Sequence, residues 1–235
     1  MIRYLTDDEL VEREKMYFDA QARVLHHNLG KALNELHSLN NILYPSLPDT
    51  KNMIEHAAEK IFHTIYSESL GWPNISLPCC ADSLYDCGDA LSHVDVKTYL
   101  DSEGKKINVE KNQTSYCKGL KLHVGKNGNE WEPNLNIYEK HMYNGYIPNL
   151  TYAIKLTYGE VNHQISINSI SLISIPNGQL AERFNYESIL SAGKTKNPDG
   201  SAGNIRFNIE EIARIEPWRV QTIYKKISSE TVSVA

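Results

Sequence analysis

Ala81-Asp82-Ser83-Leu84-Tyr85-Asp86-Cys87-Gly88-Asp89-Ala90-Leu91-Ser92-His93-Val94-Asp95-Val96-Lys97-Thr98-Tyr99-Leu100 is the stretch that decides the architecture. Gly88-Asp89 is a Gly-x pair of the kind that closes a two-residue hairpin, because glycine adopts the positive φ that such a turn demands. The flanks Asp82–Asp86 and Ser92–Leu100 read as its strands. With residues 88 and 89 as the loop, residue 82 faces residue 95. On the second strand Asp95, Lys97 and Tyr99 share one face, and Val94, Val96, Thr98 and Leu100 the other. Opposed residues have Cβ atoms about 4.5–5.5 Å apart, so Asp82 and Asp95 repel unless a positive charge lies between them. Two carboxylates and a lysine on one face are the mark of a site rather than of a stability-driven hairpin. A bulge or a longer loop would put Asp86 in the place of Asp82.

Upstream of the hairpin the chain is helical. Thr6-Asp-Asp-Glu9 has the form of a capping box, and helix formers dominate to about residue 40. Leu25, Leu29, Ala32, Leu33, Leu36 and Leu39 fall on one face, a stripe for core or dimer packing. Pro45 and Pro48 end this segment. A second helix is expected from Asp49-Thr50 to about Leu70, with Ile54, Ala58, Ile61, Phe62 and Ile65 as its apolar stripe. Downstream, alternating and β-branched residues predict strands at Ile107–Glu110, Leu120–Val124, Leu150–Tyr158, His163–Ile175 and Arg219–Lys225. Asp101–Gly104 reads as a turn, Lys194–Gly203 as a flexible basic loop, and Glu210–Arg214 as a short helix. The fold class is α+β: N-terminal helices followed by a mixed central β-sheet.

With 235 residues, the chain is expected to form one domain: an N-terminal helix to residue 45, a catalytic core over 50–125, and the remaining sheet with recognition loops over 126–235. The 41 % hydrophobic and 23 % charged composition is that of a folded globular protein. The start carries early acidic residues and no apolar run, which predicts a cytoplasmic protein without a membrane segment. Its four cysteines are then expected as reduced thiols. Cys79, Cys80, Cys87 and His93 lack zinc-site spacing. His56-Ala-Ala-Glu59 with His63 lacks the His-Glu-x-x-His order of a metallohydrolase helix.

Acidic-x-Lys occurs at Asp49-Thr-Lys51, Asp95-Val-Lys97 and Glu103-Gly-Lys105. Asp49 is explained as a helix cap and Glu103 lies in a turn. Only Asp95-Val-Lys97 sits in an alternating strand, opposite another acid. Phosphodiester hydrolysis uses such a set. Hard oxygen ligands hold a divalent ion against the phosphate, and a lysine orients the attacking water or stabilises the developing charge.

Ala81-Asp82 followed by Asp95-Val96-Lys97-Thr98 resembles the PD-(D/E)xK nuclease superfamily, in particular type II restriction endonucleases. Ala81 stands where that family's name has proline. The resemblance covers about residues 50–100. It implies a restriction-endonuclease-like fold and a Mg2+ cofactor held by Asp82, Asp95 and the carbonyl of Val96, with Lys97 beside it. It also implies a glutamate from the preceding helix, for which Glu59 is preferred over Glu55. It further implies double-stranded DNA as substrate and a homodimer matched to a palindromic site.

The net charge of -5 gives no basic footprint, so phosphate contacts must come from local segments. Lys111, Asn112, Gln113 and Lys118 follow the catalytic strand and suit phosphate or base-edge contacts; they equally suit a solvated face. The loop over 194–206, with Lys194, Lys196, Asn204 and Arg206, is the second candidate. A repair, recombination or phage nuclease of the same superfamily, or a non-enzymatic binding protein, are the competing readings.

Overall fold

The computed structural model describes residues 4–39, 50–75, 81–100, 105–120, 122–124, 129–161, 164–192 and 204–226. The helical part comprises α1 (Asp7–His27), α2 (Leu29–Ser38) and α3 (Thr50–Ser69). α1 opens with the expected capping box: Thr6 accepts from the Glu9 amide, and the Glu9 carboxylate accepts from the Thr6 amide at 2.8 Å. The single helix expected to residue 40 is broken at Asn28. There the Asn28 side chain donates to the Val24 carbonyl at 2.9 Å, an asparagine competing with the backbone for a helical acceptor. The leucine stripe packs inward, with Leu25, Ala32 and Leu36 buried in the chain's own core.

Eleven strands are described: β1 (Ser83–Asp86), β2 (Leu91–Leu100), β3 (Lys106–Glu110), β4 (Leu122–Val124), β5 (Asn129–Trp131), β6 (Tyr138–His141), β7 (Gly145–Val161), β8 (Gln164–Ile175), β9 (Leu190–Ala192), β10 (Asn204–Asn208) and β11 (Val220–Lys225). The short helices α4 (Tyr186–Ile189) and α5 (Ile209–Ile215) lie among the last of them. The main sheet has the order β1-β2-β7-β8-β11, with β6 also paired to β7. It is mixed, because β2 and β7 run parallel and the other pairs antiparallel. β3, β10 and β9 form a second sheet, and β4 and β5 a small ribbon.

β2 is covered on both faces, so its burial does not alternate. On one face Gln21 of α1 meets Ser92 at 3.4 Å, and Phe18 packs toward Tyr152 of β7. Asp95, Lys97 and Tyr99 lie on the other face, under β3 and the segment after it; there the Asn108 amide donates to the Tyr99 hydroxyl at 2.8 Å. Among the described residues no helix is long and apolar enough to cross a membrane.

A buried polar chain ties the two ends of the described structure together. Arg219 is fully buried between Trp218 and Phe184, its guanidinium carbon 4.4 and 5.1 Å from their ring centres. It donates to Glu14 of α1 at 2.5 Å, to Glu216 at 2.6 Å and to Ser174 of β8 at 3.1 Å. The other Glu14 oxygen accepts from the Asn177 amide at 2.8 Å. The Asn177 side chain reaches the Asn149 carbonyl, and the Asn149 side chain pairs with His93 of β2 at 2.9 Å.

Next to Asn177, Gly178 is buried, and its amide donates to the Ser115 hydroxyl at 3.1 Å. A Cβ placed there would lie 2.2 Å from the Ser115 carbonyl oxygen and 2.9 Å from an Ile137 methylene. Both atoms sit in packed surroundings, so Gly178→Ala is expected to destabilise by about 1–3 kcal/mol through overpacking. Urea unfolding would show it as a lower midpoint at constant slope; an unchanged midpoint would mean that the 115 segment yields freely.

Candidate active site

The β1–β2 hairpin has the register that its turn implied. Ser83 pairs with Val94 and Asp86 with Leu91, and the Cys87 amide closes the loop on the Ala90 carbonyl at 3.0 Å. Gly88 takes the positive φ of +85°, which an L side chain would resist. One step beyond Ser83, Asp82 therefore lies across from Asp95. Its carboxylate accepts from the Val96 amide at 2.5 Å, taking over where the β1 ladder ends. The amide and carbonyl of one strand residue point to the same side, so the Val96 carbonyl also faces the edge where Asp82 sits.

Asp82 is exposed, Lys97 half-buried and Asp95 nearly enclosed. One Asp95 oxygen is 2.7 Å from the Lys97 ammonium, and the other accepts from the Gln113 amide at 3.0 Å. Burial pushes the Asp95 carboxyl well above its ordinary range, with Lys97 opposing the shift and Asp82 adding to it. Burial also works against the Lys97 ammonium, but Asp95, with Asp82 behind it, holds its pKa above the usual value. Both directions belong to one partly dry cluster in which Asp95 and Lys97 face each other with Asp82 alongside.

Asp86, the alternative first acid, is engaged at the other end of the hairpin. It pairs with His141 at 3.0 Å and accepts from the Gly88 amide at 2.7 Å. Burial acts to raise its pKa, but His141 and the Gly88 amide outweigh it and hold the carboxyl below its ordinary value. Glu59, the preferred helix glutamate, meets His56 on its own helix at 3.2 Å. Glu55 is the one felt at the site face: burial raises the Tyr99 pKa, and Glu55 is among the charges that add to it.

The expected DNA contacts fall into four groups. Gln113 is buried with its amide on Asp95, not turned to solvent. Lys111, Asn112 and Lys118 are half-buried; Asn112 accepts from Asn134 at 2.7 Å, and Lys118 donates to the Pro133 carbonyl at 3.0 Å. Asn204 and Arg206 stand on β10 rather than in a loop, and Arg206 meets Asn108 across the β3 pair at 3.1 Å. Lys194 and Lys196 lie outside the described residues.

One charged residue on the site face escaped the sequence reading. Lys155 is the in-register neighbour of Lys97 on β7, buried, with its ammonium 5.2 Å from the Tyr99 ring centre. Its signal was available: a lysine in the middle of the apolar strand Leu150–Tyr158. Of the cysteines, Cys87 is half-buried and Cys117 buried, both as free thiols; burial pushes Cys117 up to about 12, which keeps it protonated and unreactive.

Comparison with known proteins bears on what such a site serves. The family model for the N-terminal domain of the type II restriction enzyme MwoI matches residues 14–162. The fold is similar to that of the tetrameric restriction endonuclease SfiI bound to cognate DNA, with a TM-score of 0.73 and 19 % identity over 97 % of this chain and 88 % of that one. It is similar also to the restriction endonuclease BglI bound to its DNA recognition sequence, with a TM-score of 0.74 and 17 % identity over 92 % of this chain and 91 % of that one. No curated protein matches the chain. The mixed sheet with its β1–β2 hairpin thus has the PD-(D/E)xK fold, and the family match spans well over half of the sequence, including that hairpin. The chain belongs to the MwoI family of type II restriction enzymes and is a site-specific DNA endonuclease.

Proposed function

We propose that the chain hydrolyses phosphodiester bonds in double-stranded DNA with Mg2+ as cofactor, using Asp82, Asp95 and the Val96 carbonyl to hold the ion and Lys97 to act beside it. The observation that carries this reading is the opposition of two carboxylates, Asp82 and Asp95, across the hairpin, with Lys97 paired to Asp95 at 2.7 Å. Among the described residues no three His, Cys, Asp or Glu side chains converge, so an ion here would complete its shell with main-chain, water and phosphate oxygens. That all-oxygen, partly hydrated shell suits Mg2+. When bound, the ion polarises the scissile phosphate and lowers the pKa of a coordinated water.

The protein's residues do the rest. Asp95, enclosed and held at both oxygens, is the fixed ligand, and Asp82 at the mouth is the one that meets solvent. Lys97 keeps its proton because two carboxylates face it, which makes it a donor to developing phosphate charge and an orienter of the attacking water rather than a base. SfiI and BglI are both seen bound to DNA that they recognise. By the same logic this chain would bind a defined duplex sequence in the cytoplasm. One active site per chain cuts one strand, so a two-fold homodimer on a palindrome would cut both. Lys111 and Asn112 beside the site, with Asn204 and Arg206 on β10, are the proposed DNA contacts.

The test is digestion of unmethylated phage DNA with Mg2+, comparing the wild-type chain, Lys97→Ala and a wild-type sample with EDTA. Discrete fragments are expected from the first, none with EDTA, and a rate about 100- to 1,000-fold lower from Lys97→Ala. A smear in place of bands would remove sequence specificity from the reading, and cutting that persists in EDTA would remove the metal.

A further inference from the structure

We infer that Gln113 is a positioning residue of the metal centre, one that fixes the rotation of the Asp95 carboxylate, and not a reader of DNA bases. The inference rests on the reading of Asp95 as a metal ligand. Gln113 is only 4 % exposed, so its amide has no route to a base edge. Both ends of that amide are engaged. Its oxygen accepts from the Glu110 amide at 3.0 Å, and its nitrogen donates to Asp95 at 3.0 Å. The first bond determines which end of the amide faces Asp95, so the nitrogen is presented without ambiguity. A carboxylate held on one oxygen by Gln113 and on the other by Lys97 at 2.7 Å cannot turn about its own axis.

The segment that carries Gln113 is itself held. The Gln113 amide N–H donates back to the Glu110 carbonyl at 3.0 Å, closing a turn on the end of β3. Immediately after it, Tyr116 is buried and donates to the Phe184 carbonyl at 2.8 Å. Ser115 is anchored by the Gly178 amide, where only a glycine leaves room. Cys117 closes the run with φ of +65°, an unusual conformation for a residue with a side chain, maintained by complete burial.

The residue type fits the role. A lysine or arginine in this place would also donate to Asp95, but would add positive charge against a carboxylate read as a cation ligand. A glutamine donates without adding charge. Groups of this kind around a metal ligand typically govern metal affinity by about 10- to 100-fold.

The test measures Mn2+ binding to the metal-free chain by calorimetry, and duplex DNA binding without metal, for the wild type, Gln113→Leu and Gln113→Asn. Leucine removes the donor at similar length; asparagine keeps the amide but is one methylene too short to reach both partners. Both variants are expected to bind Mn2+ about 10- to 100-fold more weakly, to bind DNA like the wild type, and to regain cleavage as the metal concentration is raised. Should Gln113→Leu fail to fold, Gln113→Asn decides alone. Wild-type metal affinity in a folded Gln113→Asn protein would overturn the inference, as would intact metal affinity with weakened DNA binding. If the wild-type chain binds no Mn2+, the metal reading falls and this inference with it. Binding by the wild type and both variants alike would overturn the inference alone.

Discussion

Asp95→Asn is expected to cut DNA on the order of a thousand-fold more slowly than the wild type, yet to unfold at the same temperature or higher when no metal is present. The first half follows from charge. An asparagine oxygen can still accept from Gln113, but it offers a divalent ion a dipole in place of a full negative charge. The second half follows from the direction of the Asp95 shift. Burial and the nearby Asp82 raise the carboxyl's pKa in the folded chain, against the attraction of Lys97. A carboxyl raised in this way supports the fold fully below its unfolded pKa, near 4, and that support is lost as pH rises through the folded value. Once ionised, Asp95 is therefore a cost to stability, and the neutral asparagine removes it. Lys97 loses its nearest partner but retains the charge of Asp82. Thermal unfolding with EDTA from pH 5 to 8 checks this: the wild type should lose stability relative to Asp95→Asn as pH rises. A variant markedly less stable than the wild type across that range would show that the Asp95–Lys97 pair holds the fold together. That result would weaken the case for a strained, functional site.

The largest loss of stability is expected far from the hairpin, at Arg219→Met. Arg219 is completely enclosed, and it neutralises Glu14, which is 1 % exposed. Removing the guanidinium leaves the Glu14 carboxylate with the Asn177 amide but without a cation. Burial already pushes Glu14 upward, with Arg219 pulling against it, so the glutamate would take up a proton sooner than stay charged. Even so, breaking a buried pair by deleting one partner costs about 3–5 kcal/mol. The stacking on Trp218 and Phe184 is lost as well, though the methionine recovers part of that packing. Glu216 keeps a second partner in Arg183 at 2.8 Å, which limits the damage on that side. Denaturant unfolding should show the loss, and adding Glu14→Gln to Arg219→Met should recover part of it, because the stranded charge is then absent. Strictly additive effects of the two substitutions would mean that the pair is not coupled.

Where the sequence was legible, a local rule governed the outcome. Gly88-Asp89 set the hairpin register, and with it the opposition of Asp82 and Asp95. The capping box at Thr6 began α1 where expected, and α3 ran from Thr50 to Ser69 against an expected end near Leu70. The strands that escaped notice, β5, β6, β9 and β10, have three to five residues each, too few for a period of two to stand out. β10 was assigned to a loop because the preceding residues are rich in glycine, and so Arg206 was expected in a loop and is found paired in a sheet. Gln113 had no periodic signature at all: its partner is 18 positions away, on the strand beneath it. The pairing of Glu14 with Arg219, 205 positions apart, leaves no trace in the sequence.

The sheet order also dictates when this chain can fold. β2 receives its parallel neighbour only after β7 has been made, and β8 must then accept β11, whose first residue is Val220. Until Arg219 arrives, α1 carries a glutamate that it cannot bury without cost. A growing chain on the ribosome therefore holds its helices and the β1–β2 hairpin without a finished core until β11 has been made. Its rate of folding is governed by contacts between residues far apart in sequence, which are slow to close and expose apolar strands in the meantime. Yield from a cell should accordingly be sensitive to growth temperature and chaperone supply, and the sheet that carries Asp82 and Asp95 would be completed only once β11 has been made.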